Sequence, residues 1–220
     1  MYELDQIRNK ISLTVVDLFC GAGGFSLGFK QAGFKILLGV DIWDTALETY
    51  KINIDAEILN KDVRKLKLNE VPRCDVLIGS PPCPDFSVQR YINKDKRNKK
   101  PDLSCVEAFM SLVKKIKPKY WIWENTPQAI KYFPYLPYKI YEAWQFGVPQ
   151  KRKRVFVGNF IEPKKKPYRG KVAPTIIAWE LCGGFKNSNS RGFSQWLGRK
   201  PTVEELKRYM GFPENFQIYW

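Results

Sequence analysis

The sequence predicts an α/β fold: a doubly wound, mostly parallel sheet with helices on both faces. Three observations predict it. Apolar runs of strand length alternate with segments of helical spacing through the first half of the chain, the pattern of βαβ units. The first run ends in the glycine-rich turn Cys20-Gly21-Ala22-Gly23-Gly24, which lets a backbone approach its neighbours or a ligand closely. An acid, Asp41, closes the next strand about twenty residues later, where it can accept bonds from ribose hydroxyls.

The elements follow in order. Residues 13–19 are an apolar strand, and the helix after the glycine turn carries Phe25, Leu27, Gly28 and Phe29 to about residue 32. Residues 35–40 form a second strand, 45–53 a second helix, and 56–59 a weak third strand ending near Asp62. Residues 75–79 are a buried fourth strand that runs into Ser80-Pro81-Pro82-Cys83. A helix at 106–116 precedes a strand at 120–123, which ends in Glu124-Asn125. The polar, strongly basic stretch 91–103 between them reads as a mobile surface loop. Prolines and aromatics make 127–137 an irregular connection, 155–160 a later strand and 163–169 a basic linker. Residues 183–198, rich in Gly, Ser and Asn, read as a second loop. A last helix spans 201–210, with Thr202 as N-cap and Glu205 three residues on, a capping box.

Bulk properties narrow the function. At 220 residues, 44% hydrophobic and 15% aromatic, the chain can bury one substantial core. No run reaches the roughly 18 apolar residues of a membrane span, and residues 1–10 lack the apolar core of a signal peptide. A soluble cytoplasmic protein without membrane association is expected. Five cysteines, an odd number without a Cys-x-x-Cys pair, argue against a disulfide framework and a zinc site, and no metal is expected. The net charge of +15 suits a polyanionic partner, although a lysine-rich solvated surface gives the same number. There is no histidine, which excludes Ser-His-Asp and Cys-His catalysis.

Four constellations carry chemistry. The glycine turn with Asp41 is a nucleotide-type pocket that suits NAD, FAD or S-adenosylmethionine alike, and a tight turn that binds nothing gives the same pattern. In Gly79-Ser80-Pro81-Pro82-Cys83, two prolines stiffen the backbone beyond a buried strand and fix the direction of the thiol at the carboxyl edge of the sheet, where open α/β sheets bind ligands. Most cysteines are merely small buried hydrophobes; the rigid presentation and the glycine loop make Cys83 the candidate nucleophile. In Trp121-Ile122-Trp123-Glu124-Asn125, a carboxyl beside tryptophans is partly desolvated, which raises its pKa and lets it donate a proton; otherwise it is a surface acid capping a turn. Gln150-Lys151-Arg152-Lys153-Arg154 opens a strand, and alternation sends Arg152 and Arg154 to one face. There they suit a phosphate, a carboxylate or a base edge, or simply protect an edge strand from aggregation.

In this order the four segments resemble the motifs of the cytosine-5 DNA methyltransferases. The glycine loop is similar to their first motif, Pro82-Cys83 to the catalytic proline-cysteine, Glu124-Asn125 to the glutamate-asparagine motif and Gln150–Arg154 to the glutamine-x-arginine-x-arginine motif. Gly147-Val148-Pro149 and the stretch 202–216 with Gly211-Phe212-Pro213 also match, so the resemblance spans about 13–216. It implies a Rossmann-like fold, S-adenosylmethionine as cofactor, S-adenosyl-L-homocysteine as product and double-stranded DNA as partner. It implies that Cys83 attacks cytosine, with Glu124, Arg152 and Arg154 as the other catalytic residues. By the same carry-over Phe19 stacks near the adenine, Gly21, Ala22, Gly23 and Gly24 face the methionine portion and Asp41 holds the ribose. Ile42 packs on the adenine, Asp62 bonds its amino group, and Val63 and Pro82 complete the cofactor set. Ser87, Arg90, Lys94, Lys96, Arg97, Lys99 and Lys100 form the expected nucleic-acid contact. The division implied is a catalytic, cofactor-binding domain at 1–160, a linker with a reduced target-recognition region at 161–200, and a C-terminal helix at 201–220 that packs back on the catalytic domain.

Departures from the pattern open alternatives. Pro84 stands where the family most often has glutamine, and Asn125-Thr126 where it has asparagine-valine. Only about 161–199 is available for target recognition, and a final Gly-Asn-x-Val segment is absent before Trp220. The chain is therefore a minimal enzyme, a truncated one, or one whose cofactor pocket or target recognition a second chain completes. A modification methylase acting on DNA is the leading expectation. The rivals are an RNA (tRNA) cytosine-5 methyltransferase, an inactive or partner-dependent nucleic-acid-binding subunit, and an oxidoreductase, which leaves Pro82-Cys83 and the arginine pair unexplained.

Overall fold

The computed structural model describes residues 12–82, 101–176 and 192–219. Its frame is a seven-stranded sheet of order β3-β2-β1-β4-β5-β7-β6. The strands are β1 (Thr14–Leu18), β2 (Lys35–Asp41), β3 (Glu57–Asn60), β4 (Val76–Gly79), β5 (Tyr120–Asn125), β6 (Tyr138–Glu142) and β7 (Lys153–Gly158). Strands β1 to β5 are parallel to their neighbours, while β7 runs antiparallel to β5 and β6 antiparallel to β7. The central strands β1 and β4 are apolar apart from the buried Asp17 of β1, because helices cover both faces. Val16 faces a cluster with α3 (Ser104–Ile116), through Val106, Phe109 and Leu112. Val15 faces the opposite cluster, with α1 (Gly24–Gln31) and α2 (Asp44–Asn53), through Leu47, Tyr50 and Phe29.

The chain winds outward from β1 to β3 and then crosses back to β4 on the other side of β1. The carboxyl ends of β1 and β4 therefore form a topological switch point, the place where such sheets leave a crevice. Two backbone bonds fix its floor: Ser80 N–H to the Leu18 carbonyl (3.1 Å) and Cys20 N–H to the Val40 carbonyl (3.0 Å).

Several sequence expectations need correction. Glu124 and Asn125 lie inside β5, which pairs with β7 through Asn125 opposite Val155. Strand β7 starts at Lys153 and stops at Gly158, not at residue 160. The stretch read as irregular holds a 3-10 helix, Pro127–Tyr132, and β6 follows it as an exposed edge strand whose alternating Tyr and Lys give little core signal. Within the expected second loop, Phe193–Leu197 is a helix (α4) that packs Phe193 into a small core with Ala173 and Ile176. The last helix, α5 (Val203–Met210), has the expected capping box: the Thr202 side chain accepts from Glu205 N–H and the Glu205 carboxylate accepts from Thr202 N–H. Beyond it the chain docks on α2, where Asn53 exchanges two bonds with Gln217 and Thr49 Oγ1 accepts from Tyr219 N–H. Among the described residues no helix is long and apolar enough to cross a membrane.

Candidate active site

The glycine turn folds as its composition demands. Gly21 (φ 51°) and Gly23 (φ 89°) occupy the left-handed region, open to glycine at little cost. Gly23 is restricted twice over, since a Cβ there would lie 2.9 Å from Tyr50 Cδ2. Phe19 also has positive φ, 59°, a strained conformation for an aromatic residue that persists only where its surroundings enforce it. Asp41 ties this turn to β2: its carboxylate accepts from Gly21 N–H at 2.8 Å and from Trp43 N–H at 3.0 Å. Ala22 and Gly24 are exposed, and Ile42 and Trp43 beside them are 64% and 65% exposed. Asp62 caps the 3-10 turn Val63–Lys65 and pairs with Arg64 at 2.7 Å, which holds its carboxyl below the usual range. Val63 is buried in the core.

Beneath the turn lies a buried polar network that the sequence did not announce. Ser26 Oγ donates to Asp17 Oδ2 (2.7 Å) and lies 2.9 Å from Tyr50 Oη. Asp17 is fully buried and its other oxygen has no partner among the described residues. Burial, with Asp41 nearby, pushes its carboxyl up to about 7.

Strands β5 and β7 present a second group of polar side chains. Arg154 Nε lies 2.8 Å from Glu124 Oε1. Burial raises the Glu124 carboxyl above its ordinary value, while Arg154 and then Arg152 oppose the rise. Glu124, Arg152 and Arg154 line one cavity of about 1010 Å³ with Gly24 and Ser80. Beside Glu124 the Asn125 amide, buried, donates to the Pro81 carbonyl at 3.1 Å and its oxygen accepts from Thr126 N–H at 2.8 Å. This bond pins the Ser-Pro-Pro segment to β5, two residues before Cys83. Pro81 is buried and Pro82 exposed. Cys83, Ser87, Arg90, Lys94, Lys96, Arg97, Lys99 and Lys100 lie outside the described residues.

The glycine turn thus offers an acid and exposed apolar faces, and of its residues Gly24 lines the cavity; the cavity itself offers a carboxyl with a raised pKa beside two guanidiniums. That set suits a nucleoside-bearing ligand next to a planar, hydrogen-bonding one. Residues 13–132, more than half of the chain, match the profile of C-5 cytosine-specific DNA methylases. The chain belongs to that family. It is 36% identical to the type II methyltransferase M.HindV of Haemophilus influenzae, over 92% of this chain and 75% of that protein. It is also 36% identical to M1.HphI of Haemophilus parahaemolyticus, over 72% of this chain and 50% of the relative. The chain spans about half the length of several curated relatives that it matches. The solved structure of the Entamoeba histolytica methyltransferase EhMeth gives a TM-score of 0.65 over 95% of this chain and 89% of that one, at 17% identity, a likeness of fold alone.

The residues fit the S-adenosylmethionine that this family uses. Asp41 spends two acceptor sites on backbone N–H groups and has further lone pairs that could accept from ligand hydroxyls. A Cβ on Gly21 would meet nothing within 4 Å, so there is open space beside the turn, and Ile42 is an uncovered apolar side chain that could pack on an adenine. Asp62 reaches such a ligand only if it shares its carboxylate with Arg64.

Among the arginine-motif residues of this chain, Gln150 is fully buried and serves the scaffold. Its amide donates to the Tyr209 carbonyl (2.8 Å) and its oxygen accepts from Ile176 N–H (3.0 Å), joining the motif to α5 and to the 173–176 segment. The sequence marks Asn125 and Gln150 as motif residues but not their buried bonds, and it gives no sign of the Ser26–Tyr50 part of the Asp17 network. A polar residue inside an otherwise apolar run, as Asp17 is in Thr-Val-Val-Asp-Leu, was the available signal for the buried acid itself.

Proposed function

We propose that this chain transfers a methyl group from S-adenosylmethionine to carbon-5 of cytosine in double-stranded DNA, through a covalent Cys83 adduct, as a modification methylase. The observation that carries the reading is the pairing of Glu124 with Arg154 in the cavity, next to an Asn125 amide that pins the segment leading to Cys83.

Cys83 thiolate adds to carbon-6 of the ring, forming a carbon–sulfur bond and pushing the 5,6 double-bond electrons toward carbon-5 and the N3 side. Glu124, whose burial favours the protonated form, bonds N3 and neutralises the charge that develops there. Arg154 holds Glu124 in place, and with Arg152 it binds the ring carbonyl oxygen. The bound cofactor supplies an electrophilic methyl group. Loss of the carbon-5 proton, to water in a chain without histidine, then expels Cys83 as thiolate and restores the double bond. In a duplex the cytosine must first leave the base stack, and the basic stretch with Ser87, Arg90, Lys94, Lys96, Arg97, Lys99 and Lys100 takes phosphates as it does so. The proposal includes the division at 160 and 200 into a catalytic unit, a short target-recognition region and a C-terminal helix. One alternative within it, beside a minimal or truncated chain, is a second chain that completes the cofactor pocket or target recognition; the aromatic side of the cavity at Phe25, Phe29 and Phe156 offers it a surface.

The test is to incubate the protein with tritiated cofactor and either duplex DNA or transfer RNA, and to trap adducts on 5-fluorocytosine substrates. A DNA adduct that disappears in Cys83→Ala supports the reading. An adduct with transfer RNA alone transfers the chemistry to RNA. Cofactor binding with neither adduct leaves an inactive or partner-dependent binding subunit.

A further inference from the structure

Beyond β7 the chain continues as an exposed ribbon, residues 161–171. It holds five cations, Lys164, Lys165, Lys166, Arg169 and Lys171, and one acid, Glu162. The ribbon is held at defined points. Tyr168 N–H donates to the Trp144 carbonyl (2.8 Å), and at its end Ala173 exchanges backbone bonds with Pro149 and Lys151 (2.9 Å each). The Lys166 carbonyl lies against Gly147, 3.7 Å from where a Cβ would stand. Lys165 sits over the Tyr141 ring and Lys171 over the Trp196 ring, at 5.9 and 5.1 Å.

None of the five cations has an acidic partner among the described residues. The nearby acids are turned elsewhere: Glu162 pairs with Lys139 at 3.2 Å, and Glu142 with Lys153 at 3.1 Å. The five cations stand within eight residues and repel one another. Pro163 and Pro167 stiffen the ribbon, so the repulsion is not relieved by free movement of its backbone. It crosses the 143–149 turn, whose inner side, Ala143 and Phe146, lines the same cavity as Arg152 and Arg154. Fully extended, eight residues span at most about 27 Å, and duplex DNA advances about 3.4 Å per base pair. The ribbon is therefore long enough to follow several successive phosphates.

We propose that residues 164–171 form a phosphate track that seats the duplex backbone beside the catalytic cavity, a second basic wall distinct from the 87–100 stretch. This rests on the reading of duplex DNA as substrate. Such contacts position the duplex and carry no sequence information; their signature is counterion release, about 0.9 in the slope of log affinity against log salt for each phosphate neutralised.

The experiment measures binding of a fluorescent 30-base-pair duplex by anisotropy, with salt raised from 50 to 200 mM. A variant K164Q/K165Q/K166Q is compared with K35Q/K114Q/K115Q, which loses the same charge from exposed positions on other elements. The ribbon variant is expected to flatten the slope by about 2 or more and to bind at least tenfold more weakly at 50 mM, while the control shifts it by less than about 0.5. K164R/K165R/K166R keeps the wild-type slope. Equal slopes for the ribbon variant and the control, with wild-type binding and methyl transfer intact, overturn the track and leave the proposed function standing. A wild-type protein that neither binds nor methylates duplex DNA overturns both.

Discussion

The Asn125 side-chain amide reaches 3.1 Å from the Pro81 carbonyl, across a gap of 44 residues in sequence, and both residues are buried. The strand that carries Glu124 thereby also holds Pro81, two residues before Cys83 in sequence. Asn125→Ala removes the donor and leaves a buried carbonyl without its partner, a loss of about 1–3 kcal/mol in stability. Methyl transfer in a single turnover should fall at least tenfold while calorimetric affinity for the cofactor stays within twofold, because the glycine turn is untouched. Equal losses in both would mean that Asn125 only supports the fold.

Glu124 carries two opposing influences, burial raising its pKa and Arg154 lowering it. Arg154→Ala removes the larger of the two arginine influences, so the Glu124 pKa should climb further. The carboxyl then holds its proton more firmly but is no longer oriented. Turnover is expected to drop by 10²–10⁴, with the carboxyl signal of Glu124 in infrared difference spectra titrating at higher pH than in the wild type. Glu124→Gln should lose comparable activity while retaining cofactor binding. An unmoved titration in Arg154→Ala contradicts the coupling.

Asp17 makes a prediction about stability with the opposite sign to a typical acid. Its carboxyl is pushed from an ordinary 3.8 up to about 7, so between those values the folded chain binds more protons than the unfolded one. Stability from this group is therefore present at low pH and falls as pH rises through the window, with the whole penalty in force above about pH 7. Asp17→Asn has no charge to bury and can still accept from Ser26. Its advantage over wild type in urea unfolding should be small at pH 4 and grow, by at most about 4 kcal/mol, toward pH 8. A difference that does not vary with pH would show that Asp17 is ionised in the native protein throughout.

These three sites mark how much of the molecule could be read in its sequence. The central strands were legible because burial on both faces leaves unbroken apolar runs such as Val76–Gly79, and the capping box at Thr202 because its signal is local. Strand β6 was not, since an edge strand with Tyr138, Lys139 and Ile140 exposed has no apolar face to reveal its period. Helix α4, of five residues, is too short for periodicity and follows a stretch rich in Gly, Ser and Asn. Glu124 and the arginine pair were visible as types and spacing, but their contact is set by the β5–β7 pairing, which only the fold brings about. The same is true of Asn125, whose partner Pro81 belongs to another strand end.

Gln150 gives the last prediction. Its type suggested a place in the substrate-facing motif, yet the side chain is fully buried and bonds two backbone groups, 59 and 26 residues away, on opposite sides. It stitches the start of the arginine motif to α5 and to the 173–176 segment, so the register of Arg152 and Arg154 depends on an element far along the chain. Gln150→Leu fills the volume but leaves the Tyr209 carbonyl and the Ile176 N–H without their partner, at about 1–3 kcal/mol for each buried group. The effect should be local. Hydrogen exchange should speed up at residues 173–176 and 203–210, and a protease should nick this region first. The amides of β1 and β4, held by the parallel core, should keep their protection. Uniform loss of protection across the sheet would mean that the segments unfold as one unit and that Gln150 is an ordinary core residue.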